Sequence, residues 1–304
     1  MYAPDKNTLP GKEGAALHNL MLNDKNNRTP LRMLAAAGMT LAWAAALAQA
    51  GPGQGTPGAN AGTEGESSAK ADARANAGDS RIEEILGRLE KRGDGLDDIH
   101  CHLVLVDEDT MEMSKSRRTG MIKFMMAEPN PLWLVHFEKN IVDGSRWGQQ
   151  WYLFDGRWLL EAQERLKQVT RYEYVESGAK VDFFDLDKAP FPLPFGQKRE
   201  KILKHFDVTL APPGKSDPDE TDHLVCKPKK DSRHAETYDR LEFFVRRGLD
   251  LPVRVVMVKK GGYQVRTADF PDLQEASINT GLSRGSFEQP KAWEGYKLID
   301  GDAN

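Results

Sequence analysis

The sequence predicts a mainly β (α+β) fold, built as one curved antiparallel sheet with an amphipathic helix at its start. Three observations predict it. Segments rich in Val, Leu, Phe, Tyr and Trp follow one another between turn signals across 100–175 and again across 206–270. Helical apolar spacing is confined to one stretch ahead of the strands and one short stretch between the two blocks. Strands that follow strands without crossover helices pair antiparallel and bury one face, so the sheet is expected to curl around that face and be only partly covered.

The elements come in this order. Ser80 and Glu83 form a capping box, and Ile82, Ile85, Leu86 and Leu89 place an apolar stripe on one helical face before Gly93 and Gly95. Strands are expected over 100–106, 120–126 and 132–138, the second stopped by Pro129 and Pro131. Residues 150–154 turn at Asp155-Gly156 into 157–160, and 166–175 continues the meander. Residues 183–195 are apolar but carry Pro190, Pro192 and Pro194, which excludes a regular helix or a central strand. A brief helix over 198–205 precedes strands at 206–210, 222–227, 239–246, 253–259 and 263–270, with Gly261-Gly262 as the last hairpin turn.

The domain organisation has three parts. Residues 1–50 hold an N-terminal extension and an export signal: an alanine-rich apolar run at 31–50 lies behind Arg28 and Arg32. The run ends in the small-residue patterns Ala46-Leu47-Ala48 and Ala48-Gln49-Ala50. The polar stretch ahead of this run is long for a signal, so either translation starts nearer Met21 or Met33 or the leader is extended. The run is also about long enough to span a bilayer, which makes an inner-membrane anchor through 31–50 the alternative to export. Residues 51–78 are rich in Gly, Ala, Ser and Pro and read as a disordered linker, leaving 79–300 as the folded domain.

The chemistry is sparse. The formal charge is −4, and the first fifty residues are net basic, so the remainder is more acidic still. A nucleic-acid partner is therefore not expected. Cys101 and Cys226 either pair in an oxidising compartment or serve as two small buried hydrophobes. His100-Cys101-His102 alternates across a strand, and His223 and Cys226 oppose one another, so no metal is expected. Asp107-Glu108-Asp109, Asp143-Gly144 and Asp155-Gly156 read as turns. No nucleophile elbow, phosphate loop or paired zinc-histidine motif occurs, so neither an enzyme nor a cofactor is expected.

Aromatic surface dominates instead. Three of the six tryptophans (Trp147, Trp151, Trp158) fall close together, with Trp133 shortly before them. Trp133, Val135 and Phe137 share one strand face, while Leu132, Leu134 and His136 share the other. The Trp133 face is expected to line a concavity; the alternative is ordinary core packing under the helix.

Read in order, the stripe at 82–89, the glycine-led strand from Gly120 to Pro129-Asn130 and the aromatic strand 132–137 form a recognisable series. It continues through Asp155-Gly156-Arg157-Trp158, Lys167-Gln168-Val169-Thr170 and Arg247-Gly248-Leu249 before Pro252-Val253. Phe287, Pro290 and Trp293 close it. That series resembles the LolA-like family of lipoprotein-sorting carriers. The resemblance implies a half-barrel lidded by helices and a periplasmic location. It also implies that an acylated lipoprotein or other lipid enters the apolar concavity, with inner-membrane export machinery and an outer-membrane acceptor as further partners of a monomeric carrier. On that basis the cavity-lining residues are Trp133, Val135, Phe137, Phe124, Tyr152 and Phe154. The lid is formed by Ile82, Ile85, Leu86 and Leu89 with Phe191, Leu193 and Phe195, the latter three either as a movable flap or as a pinned plug. The family ties its lid with an arginine just before Pro-Asn; here that position is Glu128, so the latch does not carry over.

Overall fold

The computed structural model describes residues 65–176, 179 and 198–301. Its order is helix α1 (Gly65–Asp94), then strands β1 (Asp98–Asp109), β2 (Ser114–Met125), β3 (Leu132–Val142), β4 (Ser145–Arg146), β5 (Gln150–Phe154), β6 (Trp158–Gln163) and β7 (Gln168–Glu173). Helix α2 (Arg199–His205) leads into β8 (Phe206–Ala211), β9 (Thr221–Pro228), β10 (Tyr238–Arg246), β11 (Leu251–Lys259) and β12 (Gln264–Asp269); β13 (Lys297–Asp300) closes the chain. The expectation of a mainly β protein with an open antiparallel sheet and few helices is met. Among the described residues thirteen strands form one sheet, ordered β13-β7-β6-β5-β3-β2-β1-β12-β11-β10-β9-β8, with β4 on β3. Every pairing is antiparallel except β13 on β7. A sheet this wide has to twist and coil rather than lie flat.

The alternation read from the sequence sets the faces. Trp133, Val135, Phe137, Tyr152 and Phe154 join Ile99, Cys101, Leu103, Ile122 and Phe124 in one buried cluster on the inner face. Leu132, Trp151, Leu153 and Leu160 point the other way and pack with Phe287 and Trp293 of the C-terminal tail, Trp151 and Trp293 meeting edge to face at 6.3 Å. This explains why all five residues of β5 are buried: both sides of that strand are covered. Gly120 makes room for the β2–β3 pairing at a register shift, because a Cβ there would lie 1.7 Å from the His136 carbonyl oxygen.

Three expectations are corrected. Helix α1 does not start at a Ser80 cap; it runs from Gly65, so 65–78 of the stretch read as linker is helical. Its alternate alanines from Ala69 to Ala77 favour a helix once a docked turn follows. The acidic triplet Asp107-Glu108-Asp109 is not a turn but the end of β1. The strand expected over 166–175 narrows to β7, with Lys167 at positive φ in the turn before it.

Candidate functional site

The six residues expected to line a cavity do share one face. Across the register, Phe154, Trp133 and Phe124 stand in one row from β5 through β3 to β2, and Tyr152, Val135 and Ile122 form the next. The Trp133 and Phe154 rings are 6.1 Å apart and nearly parallel; Phe137 meets Tyr152 edge-on at 6.3 Å. Such offset and edge contacts add to the burial of the rings. Trp133, Phe124 and Phe154 are at most 1% exposed, so this floor is closed and not an open trough. The cavity bounded by Leu105, Arg118, Trp133, Val135, Phe137, Tyr152 and Arg266 measures about 10 Å³, room for about one water.

The helical cover lies elsewhere. Ile82, Ile85, Leu86 and Leu89 are buried as expected, but against Ile202, Phe206, Leu224, Cys226, Leu241 and Val245. Helix α1 therefore roofs the β8–β10 end of the inner face, beside the aromatic floor. Charged groups pin it there. Asp222, 5% exposed, accepts from Arg81 Nη2 at 3.2 Å, Arg88 Nη2 at 3.4 Å and Arg247 Nε at 2.9 Å, while Arg88 Nε donates to Asp250 at 2.9 Å. Arg199 on α2 reaches Glu83 at 2.9 Å, and Lys198 pairs with Asp94. At the family's latch position stands Glu128, whose carbonyl oxygen accepts from Arg284 Nη2 at 2.7 Å. The flap residues Phe191, Leu193 and Phe195 and the apolar run at 31–50 lie outside the described residues. Among the described residues no helix is long and apolar enough to cross a membrane.

A polar margin borders the aromatic floor. Asp107 continues the inward row of Ile99, Cys101, Leu103 and Leu105 and binds two guanidiniums: Arg118 Nη2 at 2.6 Å, and Arg266 Nε. Burial alone would raise the Asp107 carboxyl, but the two arginines outweigh it and hold it below its ordinary range. On the adjoining strands Gln150 Nε2 donates to the Tyr152 hydroxyl at 2.6 Å and to Glu161 at 3.1 Å. Burial pushes the Glu161 carboxyl up, against the hydrogen bonds of Gln163 and Gln150. The sequence places Tyr152 on this face and suggests a turn at Asp107, but it singles out none of Arg118, Gln150, Glu161 and Arg266. The period-two row ending at Asp107 was the available signal.

The remaining candidates resolve simply. Cys101 and Cys226 are free and buried in two different clusters. His102 Nδ1 pairs with Asp272 at 2.6 Å, and His223 stacks on Phe244 beside Glu242. Among the described residues no group of three or more His, Cys, Asp or Glu is placed to hold a metal. Asp155 is a turn residue, its Oδ1 accepting from the Arg157 and Trp158 amides.

No family model matches the sequence, and no curated protein matches it. Among solved structures the chain is similar to a putative outer membrane lipoprotein-sorting protein domain from Vibrio parahaemolyticus, at 14% identity and a TM-score of 0.30, covering 67% of this chain and 95% of that one. It is similar to a LolA superfamily protein from Nitrosomonas europaea, at 14% identity and a TM-score of 0.30, covering 68% and 97%. LprF from Mycobacterium bovis is 10% identical with a TM-score of 0.38, covering 69% and 97%. Likeness this distant says nothing about cargo or partners.

Proposed function

We propose that the protein is an exported, periplasmic carrier that sequesters acyl chains of a lipoprotein, or another amphiphile, against the inner face of its sheet for transfer towards the outer membrane. The observation that supports this is the aromatic floor: Phe124, Trp133, Val135, Phe137, Tyr152 and Phe154 share one face of an open sheet, beside a separately pinned helical cover. No covalent step is required. Hydrocarbon burial on such a floor contributes about 25 cal/mol per Å², and it is offset by the cost of opening a closed core. Loading and release then follow from different affinities of the open and closed forms.

A second reading is a sensor or scaffold module with a filled core, on the same fold but without transport. The small size of the cavity, about 10 Å³, favours it. Uptake of a fluorescent acylated peptide separates the two. Aspartate at Trp133 or Phe137 would bury a charge and unfold the chain, so the informative variants are Trp133→Leu and Phe137→Leu. Saturable uptake by the wild type, weakened in folded variants, supports the carrier. Absence of uptake by the wild type supports the filled module, and unchanged uptake by both variants removes this floor from the binding site.

A further inference from the structure

The polar margin of the aromatic floor deepens the acyl-binding reading and rests on it. Arg118 lies 5.1 Å from the Phe137 ring centroid, with a side chain only 15% exposed. One end of its guanidinium is committed to Asp107. Its Nε is buried and meets no protein acceptor, and the side chain lines the same cavity as Trp133, Val135, Phe137 and Tyr152. A buried charged donor without an acceptor is costly. A guanidinium presents planar, parallel donors that match a carboxylate. The competing internal anion is Glu161, which is already hydrogen-bonded to Gln150 and Gln163. Burial raises its carboxyl, while the hydrogen bonds of Gln163 and Gln150 and the charge of Arg118 act to lower it. An orphan cationic donor at the rim of an aromatic floor is the arrangement that an amphiphile with one anionic end and one hydrocarbon tail would satisfy at both ends.

We propose that Arg118 receives the carboxylate of a hydrocarbon-tailed acid whose tail lies along Trp133, Val135 and Phe137. This selects the second branch of the acyl-binding reading, another amphiphile: the acyl chains of a lipoprotein are held as esters or amides and present no free carboxylate, whereas a free fatty acid does. Entry requires the buried Trp133, Val135 and Phe137 side chains to part as well as Arg118 to move off the Phe137 ring, because the floor is closed and the cavity accommodates about one water.

The test is calorimetric titration of the full chain with dodecanoate, dodecanol and acetate. The wild type is expected to bind dodecanoate about tenfold or more tightly than dodecanol, the scale of one charge-assisted hydrogen bond, and acetate should not displace it. Arg118→Gln should remove the preference, so that dodecanoate binds no more tightly than dodecanol to the same variant. Arg118→Lys, which keeps the charge without the fork, should retain part of it. If Arg118→Gln does not fold, the wild-type comparison of acid with alcohol decides. Equal binding of both tailed probes overturns this inference and leaves the acyl-binding reading standing. So does an undiminished preference in folded Arg118→Gln. Displacement by acetate would mark a site for any small anion and also overturns it. If neither tailed probe binds, both readings fail together.

Discussion

Asp222→Asn should loosen the cover without unfolding the sheet. Asp222 is 5% exposed and receives three arginines, two of them, Arg81 and Arg88, from α1. A hydrogen bond to a buried charge contributes about 1.5–3 kcal/mol. The Arg81 and Arg88 side chains are 37% and 29% exposed, so water takes up part of that loss. A discounted contribution of about 1 kcal/mol from each arginine gives about 2 kcal/mol for the α1 attachment. At 1.36 kcal/mol per tenfold, the undocked population rises about thirtyfold. Hydrogen exchange followed by mass spectrometry reads this directly: amides of 82–92 should exchange about thirtyfold faster, while those of β1–β3 keep their protection. Arg247 reaches Asp222 from outside the helix, so Arg247→Gln should leave the α1 amides close to wild type. Unchanged exchange in α1 for folded Asp222→Asn would refute the latch. Equal acceleration in α1 and in β1–β3 would show that α1 does not open as a separate unit.

The remaining predictions concern single residues. Asp98 is held below the ordinary carboxylate range: burial would raise it, but donation from the Thr280 hydroxyl and the Thr280, Gly281 and Leu282 amides outweighs burial. Its stabilisation is therefore fully present above its unfolded pKa and is lost as pH falls through the lower folded value. Asp98→Asn should cost about 2 kcal/mol at pH 7, and urea titrations should show the gap to wild type closing in acid; a gap independent of pH would contradict this. The Cys101 and Cys226 thiols are pushed up to about 12 by burial, so a disulfide reagent at pH 8 should label neither in the native chain and both after denaturation. Gly120→Ala should cost more than about 4 kcal/mol, seen as a large fall in Tm, because its Cβ would strike backbone at 1.7 Å, where no side chain can yield.

What was legible in the sequence was whatever local pattern determines. Alternation places Trp133, Val135 and Phe137 opposite Leu132 and Leu134 regardless of what covers either face, and the structure keeps that division. The stripe Ile82, Ile85, Leu86 and Leu89 is likewise a local fact, and those residues are buried. Which surface the stripe meets is decided by partners more than a hundred residues away, such as Leu224 and Leu241, and no local signal encodes that. The parallel docking of the four-residue β13 on β7 was hidden for the same reason. Asp107 was a different kind of miss. Its neighbours Glu108 and Asp109 made a polar cluster that looked like a turn, although the inward row Ile99, Cys101, Leu103, Leu105 ran straight into it. A charge on an apolar row is tolerated only when partners wait there, and Arg118 and Arg266 supply them from the two flanking strands. The closed state of the floor was also beyond sequence, since the same rings can pack on one another or on a ligand.

Native mass spectrometry of the full chain purified from the membrane envelope, followed by lipid extraction, tests the central claim most directly. The account predicts a population of the chain carrying one hydrocarbon-tailed molecule, reduced in Trp133→Leu. A wild-type chain recovered only in its bare mass, under conditions that retain lipid on a control lipid-binding protein, would contradict it.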